Sequence, residues 1–339
     1  MSHLSTLVAS AVGQKAAAAI LDVLEIDPAL TAQAEGPVSR AVFAMALNAV
    51  LFHDIMGRVP LGAAYVQERR AEGHKLVFDH GALRTIDFGD GVPTGALPAG
   101  HLAFARILEP LGYVLADLYP LDRLKMTGRA YAHADLPEAI PQFFISELHV
   151  ERFSPAFGVI AHAVFDSTAD ALGVEAQRAL AAFATEGSCG LDTARAALPQ
   201  VVAAFARTHG PLRLEHYRAL LAESAEAAWI ATEGQAFNHA TDRVPDVEAV
   251  ADAQKALGRP VKDTVEVSGS GRVRQTAFKA QPVERAFLTD AGETTLTVPG
   301  SFHEFISRDR FVDETGVERL DLRFDSGNAQ GIFKMTKAG

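Results

Sequence analysis

Residues 76–89 read LVFDHGALRTIDFG, an apolar strand pattern that carries His80 and Arg84 four residues apart. On a strand, residues i, i+2 and i+4 share a face. His80 and Arg84 are therefore expected beside Phe78, Ala82 and Ile86, pointing into an enclosed space and away from water. A second stretch, QAFNHATDRV (235–244), groups Phe237, His239, Thr241 and Arg243 in the same way. A third, GSFHEFISRDRF (300–311), groups Phe302, Glu304, Ile306 and Arg308.

The segments around these strands form a repeat. After the His80 strand come a helix, HLAFARILEPLG, two strands, YVLADLYPL and RAYAHAD, and a strand with a glutamate, QFFISELHVERF (Glu147). After the His239 strand come a helix, PDVEAVADAQKALG, the strand runs TVEVSGSGRV and VERAFL, and the strand with Glu304. Asp246 suits the cap of that helix and Gly258 its stop. Each half reads βαβββ. From 80 to 147 and from 239 to 304 the separations are 67 and 65 residues.

The remainder reads helical. SRAVFAMALNAVLFHDIMG keeps apolar residues at helical spacing, and three alanine- and leucine-rich helices with glycine stops follow between about 155 and 233. The expected organisation is an N-terminal helical segment (1–73), a first module (74–154), a helical insertion (155–233), and a second module with a closing strand (234–339). The fold class is α+β, with two βαβββ modules forming an incomplete barrel around a metal site. The insertion reads as packing, oligomer contact or pocket wall, which leaves a homo-oligomer open, and Trp229 in it reads as core.

Composition narrows the function. The 339 residues hold 31 Lys+Arg against 42 Asp+Glu, a formal net charge of −11. That balance argues against nucleic-acid or anionic-membrane binding, so an anionic ligand has to be caught by locally placed arginines. The single cysteine, Cys189, excludes an intramolecular disulfide framework and fits a cytoplasmic protein. The N-terminal stretch is alanine-rich, lacks a basic leader region and is interrupted by Lys15, so it reads as a helix and not as a signal peptide or membrane span.

A buried carboxylate needs a cation. Two histidines and one carboxylate with open positions make the facial triad of non-haem Fe(II) oxygenases. Taken alone, His80 reads as a satisfied core histidine; the repeat, which adds His239, Glu304 and Glu147, is what points to metal. Glu147 reads as a ligand, as a partner of a ligand histidine, or as a salt bridge. His303 alternates to the opposite face, His149 reads as structural, and His74 as surface. Arg243 and Arg308 read as charge partners before substrate clamps, with either able to line the pocket and Arg243 able to support the site from behind the ligands.

Paired βαβββ modules with ligands on their first and last strands resemble the vicinal oxygen chelate superfamily, which includes glyoxalase I and the extradiol dioxygenases. More closely, DHGALRTID, FNHATDR, SFHEFISR and the C-terminal NAQGIF, in that order, are similar to the 2-oxoadipate dioxygenase/decarboxylase family, over roughly Lys75 to Phe333. The resemblance implies that His80, His239 and Glu304 hold Fe(II) and that Glu147 is not a ligand. It implies that Arg84 binds a substrate carboxylate and that the DSGNAQGIF loop, with Asn328, closes over the substrate. The reaction implied is 2-oxoadipate plus O₂ to 2-hydroxyglutarate plus CO₂, a step of lysine catabolism. Four residues of strand rise about 13 Å, so an arginine at that distance, leaning back, meets the far end of a dicarboxylate whose 2-oxo end lies on the metal. Two other functions fit the scaffold: a glyoxalase-like isomerase or lyase, favoured if Glu147 is a fourth ligand, and a metal-free paired-module binding protein.

Overall fold

Ser39 starts the first long helix: its hydroxyl accepts the Val42 amide at 3.3 Å, an N-cap that satisfies one of the helix's free donors. The computed structural model describes residues 1–325, so Asn328 and the proposed closing loop from residue 326 onward lie outside the described residues. Helix α1 (Arg40–Arg58) is followed by α2 (Pro60–Ala71), which has proline in its first turn. By length and composition α1 could cross a membrane, but Val42–Phe52 are all buried within the protein, where they back the sheet.

The first βαβββ unit is β1 (Phe78–Asp87), α3 (Leu102–Leu108), β2 (Tyr113–Leu121), β3 (Met126–His133) and β4 (Gln142–His149). Helices α4 (Pro155–Phe165), α5 (Val174–Glu186), α6 (Leu191–Ala203), α7 (Leu214–Glu223) and α8 (Ala225–Glu233) come next. The second unit is β5 (His239–Arg243), α9 (Val247–Ala256), β6 (Glu266–Val267), β7 (Val273–Ala277) and, after a separate hairpin of β8 (Pro282–Thr289) and β9 (Gly292–Pro299), β10 (Phe302–Arg308).

The two units share one curled, half-barrel sheet of eight strands in the order β2-β3-β4-β1-β5-β10-β7-β6. In each unit the first and last strands are parallel neighbours, β1 with β4 and β5 with β10. The units meet at the antiparallel pair β1–β5. Reading outward from that seam, the strand order is the same on both sides, which is the repeat seen in the sequence. The seam therefore places the two histidine-bearing strands side by side.

Each face of the sheet has its own core. On the outer face Leu83, Phe143, Ile145, Phe237 and Phe305 pack with Phe43, Leu47 and Phe52 of α1 and Phe104 and Ile107 of α3. On the site face Ala82, Ile86, Ala130 and Phe144 pack with Phe157 and Phe165 of α4, Leu220 of α7, and Trp229 and Ile230 of α8. The insertion thus covers the site face through α4, α7 and α8.

Three local expectations change. The β1–β5 register shifts between Phe78 and His80, a bulge that re-aims side chains. Phe78 consequently joins the outer core, 5.2 Å from the Phe52 ring, while His80, Ala82, Arg84 and Ile86 keep the other face. Phe237 lies just before β5 and also turns outward. VERAFL is not a module strand: it belongs to the separate hairpin, and TVEVSGSGRV supplies both missing strands by turning at Gly271, whose φ is +73°.

At Gly81, next to His80, the outer core approaches the backbone closely. A Cβ added there would lie 2.2 Å from Phe237 Cζ, inside any allowed contact. Gly81→Ala is expected to destabilise the fold by about 1–3 kcal/mol through overpacking, read from the urea midpoint. Combined with Phe237→Leu, the loss should be less than the sum of the two single losses, because the two positions share one contact. Additive losses would place the cause elsewhere.

Candidate metal centre

Three adjacent strands build the centre. Across β1–β5, His80 faces Thr241, and across β5–β10, Thr241 faces Glu304. His239 lies two residues before Thr241 and so shares its face. The histidine Nε2 atoms of His80 and His239 lie 3.3 and 3.6 Å from Glu304 Oε2. The two imidazoles stand at 85° with centroids 5.5 Å apart. His80, His239 and Glu304 are 2, 4 and 1% exposed, and one ligand-type atom of each lies within 4.8 Å of the others.

The hydrogen bonds fix which atoms face the centre. Asp79 Oδ1 is 2.9 Å from His80 Nδ1. Arg308 holds the same carboxylate at 2.9–3.1 Å. Burial alone would raise the pKa of Asp79, but Arg308, His80 and Arg243 outweigh it and hold the carboxyl well below the usual range. An ionised Asp79 accepts, so Nδ1 of His80 carries the proton and Nε2 presents its lone pair inward. The Thr241 hydroxyl donates to Glu304 Oε2 at 2.7 Å, which leaves its oxygen 3.1 Å from that lone pair.

The charges point the same way. Burial opposes ionisation of Glu304, yet His239, His80 and Thr241 outweigh it and bring its pKa down to about 2. Burial pushes His239 down to about 3, so this imidazole is neutral. For His80, burial lowers the pKa, but Asp79 and Glu304 outweigh it and raise it; positive charge is favoured at Nε2. Glu304 Oε1 and His239 Nδ1 have no hydrogen-bond partner among the described residues. Two imidazole nitrogens and an ionised carboxylate thus converge on a point that favours a cation, and the residues fit a divalent metal with open positions.

Arg84 lies farther along the same face of β1, fully buried, its guanidinium carbon 4.8 Å from the centroid of the Trp229 ring on α8. The indole is itself fixed, its N–H donating to the Gly300 carbonyl at 3.0 Å. Burial lowers the pKa of Arg84 to about 10, with buried Glu226 on α8 acting in the opposite direction, so the side chain remains cationic at neutral pH. Arg243 donates to the Glu138 carbonyl at 3.3 Å and approaches Asp79 at 3.7 Å. It supports Asp79 from the edge of the site.

Glu147 is in neither of the places that a role at the metal would require. It pairs with Thr85, not with the neighbourhood of His80, and points to the outer face. There it binds the His101 ring and amide at 2.7 and 3.0 Å and Arg129 at 3.0 Å. Burial works against its ionisation, but His101 and Arg129 outweigh it and hold it at about 2. The residue of β4 that corresponds to Glu304 is Phe144, opposite Ala82. Glu147 is three positions beyond it, and an odd offset changes the face. Glu147 anchors the start of α3 and supports no ligand histidine. His149 is held by Thr127 and Asp87 and forms with Asp87 and Glu147 a second group of ligand-type atoms on the outer face, and His303 lies on the outer face beside Tyr65 and Phe305.

Asp79, Thr241 and Glu226 were not singled out from the sequence. Asp79 adjoins His80, so strict alternation would send it to the other face, and only the bulge brings its carboxylate back to the ring. Glu226 is one turn before Trp229 on a helix buried on all sides, which shows no amphipathic signal.

A family profile for 2-oxoadipate dioxygenase/decarboxylase matches residues 54–334. Among solved structures, a Ralstonia eutropha JMP134 protein described as of the glyoxalase superfamily is 51% identical, with a TM-score of 0.90, covering 96% of this chain and 99% of its own. Hydroxyglutarate synthase from Oryza sativa, solved with 2-oxoadipate, is 22% identical, with a TM-score of 0.64 and coverage of 89% and 96%. The hydroxyglutarate synthase of Pseudomonas putida, also solved with 2-oxoadipate, is 19% identical, with a TM-score of 0.64 and coverage of 89% and 74%. At that identity the two synthases establish a shared fold. No curated protein matches the chain.

The two glutamates of the repeat give a direct contrast. Glu304→Ala is expected to weaken Co(II) binding, followed by calorimetric titration, by more than the roughly 10–100-fold lost with a residue that only supports a ligand. Glu147→Ala should leave the affinity within a few-fold of the parent. Equal losses would move the metal away from the seam.

Proposed function

The chain belongs to the 2-oxoadipate dioxygenase/decarboxylase family, and on that premise we propose that it is an Fe(II)-dependent dioxygenase of a 2-oxo dicarboxylic acid. The substrate we assign is 2-oxoadipate, which with O₂ gives 2-hydroxyglutarate and CO₂. One observation carries this reading: a cation-demanding His80–His239–Glu304 cluster and a buried, stacked arginine lie on one face of one sheet, with His80 and Arg84 on the same strand at a spacing suited to the two ends of a dicarboxylate. The two synthases of the same fold, both solved with 2-oxoadipate, agree with it.

His80, His239 and Glu304 would hold the iron. When bound, the metal supplies a docking point for the 2-oxo acid and the activation of O₂. The rest falls to the protein. Ionised Glu304 supplies the compensating negative charge, and Asp79 keeps His80 in the tautomer that leaves Nε2 free. Arg84 takes the distal carboxylate with its planar fork, and the Trp229 ring holds that fork in place. Ala82, Ile86 and Phe144 on the same face keep the space between the two ends dry, which strengthens both polar anchors. Decarboxylation of the substrate's own 2-oxo acid supplies two electrons, so no second oxo acid is required. One oxygen atom enters the new carboxylate and the other the new hydroxyl.

A glyoxalase-like isomerase or lyase would be favoured by Glu147 as a fourth ligand, and the position of Glu147 on the outer face removes that support. The reaction is tested by anaerobic Fe(II) loading followed by oxygen uptake with a panel of 2-oxo acids. Uptake and CO₂ release in equal amounts are expected with 2-oxoadipate; turnover without oxygen uptake would refute the reading. In the same assay Arg84→Ala should leave iron binding nearly intact and reduce kcat/KM for 2-oxoadipate by the equivalent of about 2–5 kcal/mol, the scale for truncating a buried charge partner. Arg84→Lys should recover little of it. Monocarboxylic 2-oxo acids should lose much less. Equal losses for both classes would mean that Arg84 supports the metal end or the fold.

A further inference from the structure

Arg308 joins the metal centre to the segment 321–325. Its side chain is wholly buried. Nε and Nη2 hold Asp79 at 2.9–3.1 Å, and Asp79 in turn holds Nδ1 of His80. Nη1 points away from this pair and donates to the backbone carbonyls of Asp321 and Arg323, both at 2.8 Å. The guanidinium carbon lies 5.1 Å from the centroid of Phe324, and that ring meets His80 edge-on at 4.8 Å.

The segment 321–325 is anchored at other points too. The Phe324 amide donates to the Tyr119 hydroxyl at 3.0 Å, and Gln142 donates to the Leu322 carbonyl at 3.1 Å. The buried Asp321 carboxylate accepts from Arg272 and Arg323. Of these anchors, Gln142 neighbours the centre as the ladder partner of His80. Among the described residues, Arg308 hydrogen-bonds both Asp79 at the centre and two carbonyls of this segment, beside the direct contact of Phe324 with His80.

We infer that Arg308 is a positioning residue that couples docking of the 321–325 segment to the orientation of His80 through Asp79; this rests on the proposed metal reading. A rigid guanidinium meets Asp79 and both carbonyls from one placement only. If the segment lifts, Nη1 loses both acceptors and Phe324 leaves the guanidinium and His80. Arg308 is then free to swing from Asp79, and His80 loses the partner that fixes its ring. Coupling of this kind is reciprocal: whatever factor segment docking adds to metal affinity, metal binding adds to docking.

The test uses the full chain with Co(II) as probe, reading metal affinity by titration and segment docking by amide exchange of 321–325 and by trypsin cleavage after Arg323. In the parent protein Co(II) should slow both exchange and cleavage. In Arg308→Lys the ammonium keeps a charge beside Asp79 but cannot serve two carbonyls as well, so Co(II) should still bind while its protection of 321–325 is lost. Tyr119→Phe loosens the segment from its far side without touching Arg308, and should weaken Co(II) binding about fivefold or more, the lower range of such couplings. Should Arg308→Lys not fold, the parent protection and the Tyr119→Phe affinity decide by themselves. Protection by Co(II) that is the same in parent and Arg308→Lys overturns the inference, as does an unchanged affinity in Tyr119→Phe; the metal reading survives either result. A parent chain that binds no Co(II) removes the metal reading and the inference with it.

Discussion

An ionised carboxylate sealed between two imidazoles, with one oxygen unpartnered among the described residues, is the constraint on which the rest depends. A buried charge of this kind costs several kcal/mol unless a cation meets it. Its neighbours are arranged to keep that charge: Thr241 donates to it, and Asp79 with Arg308 sets the His80 tautomer so that a lone pair faces inward. None of the three ligand-type residues is near the others in the chain. They meet because two copies of one βαβββ unit join along their first strands.

The two-sided burial of the sheet follows from the same requirement. The site face is covered by α4, α7 and α8 as well as by Phe324, a dry surround that suits the proposed oxygen chemistry. The molecule as a whole carries an excess of 11 negative charges. Capture of the proposed dianion would therefore rest on local cations, and Arg84, buried and stacked on Trp229, is the one we assign to it.

What could be read from the sequence was what alternation and repetition determine. His80, Ala82, Arg84 and Ile86 share a face because β1 is regular from His80 onward, and His239 and Glu304 follow from the second copy. The failures have separate physical causes. A bulge turned Phe78 outward and brought Asp79 to the ring. Glu147 sat at a matching separation but three residues past the true equivalent, and separation along the chain does not record register. VERAFL has the period of a strand whether it lies in the main sheet or in a side hairpin. The cover of the site face, and with it Trp229 over Arg84, depends on packing between distant helices that no local pattern encodes. Asn328 lies outside the described residues.

The central claim is that one divalent ion is held across the seam by two imidazoles and one carboxylate. X-ray absorption at the metal edge of the anaerobically Fe(II)-loaded protein tests it most directly. The multiple-scattering signature of two imidazoles is expected, with nitrogen and oxygen donors at about 2.0–2.2 Å, as for comparable first-row sites. A first shell of oxygen donors alone, with no imidazole scattering, would contradict it.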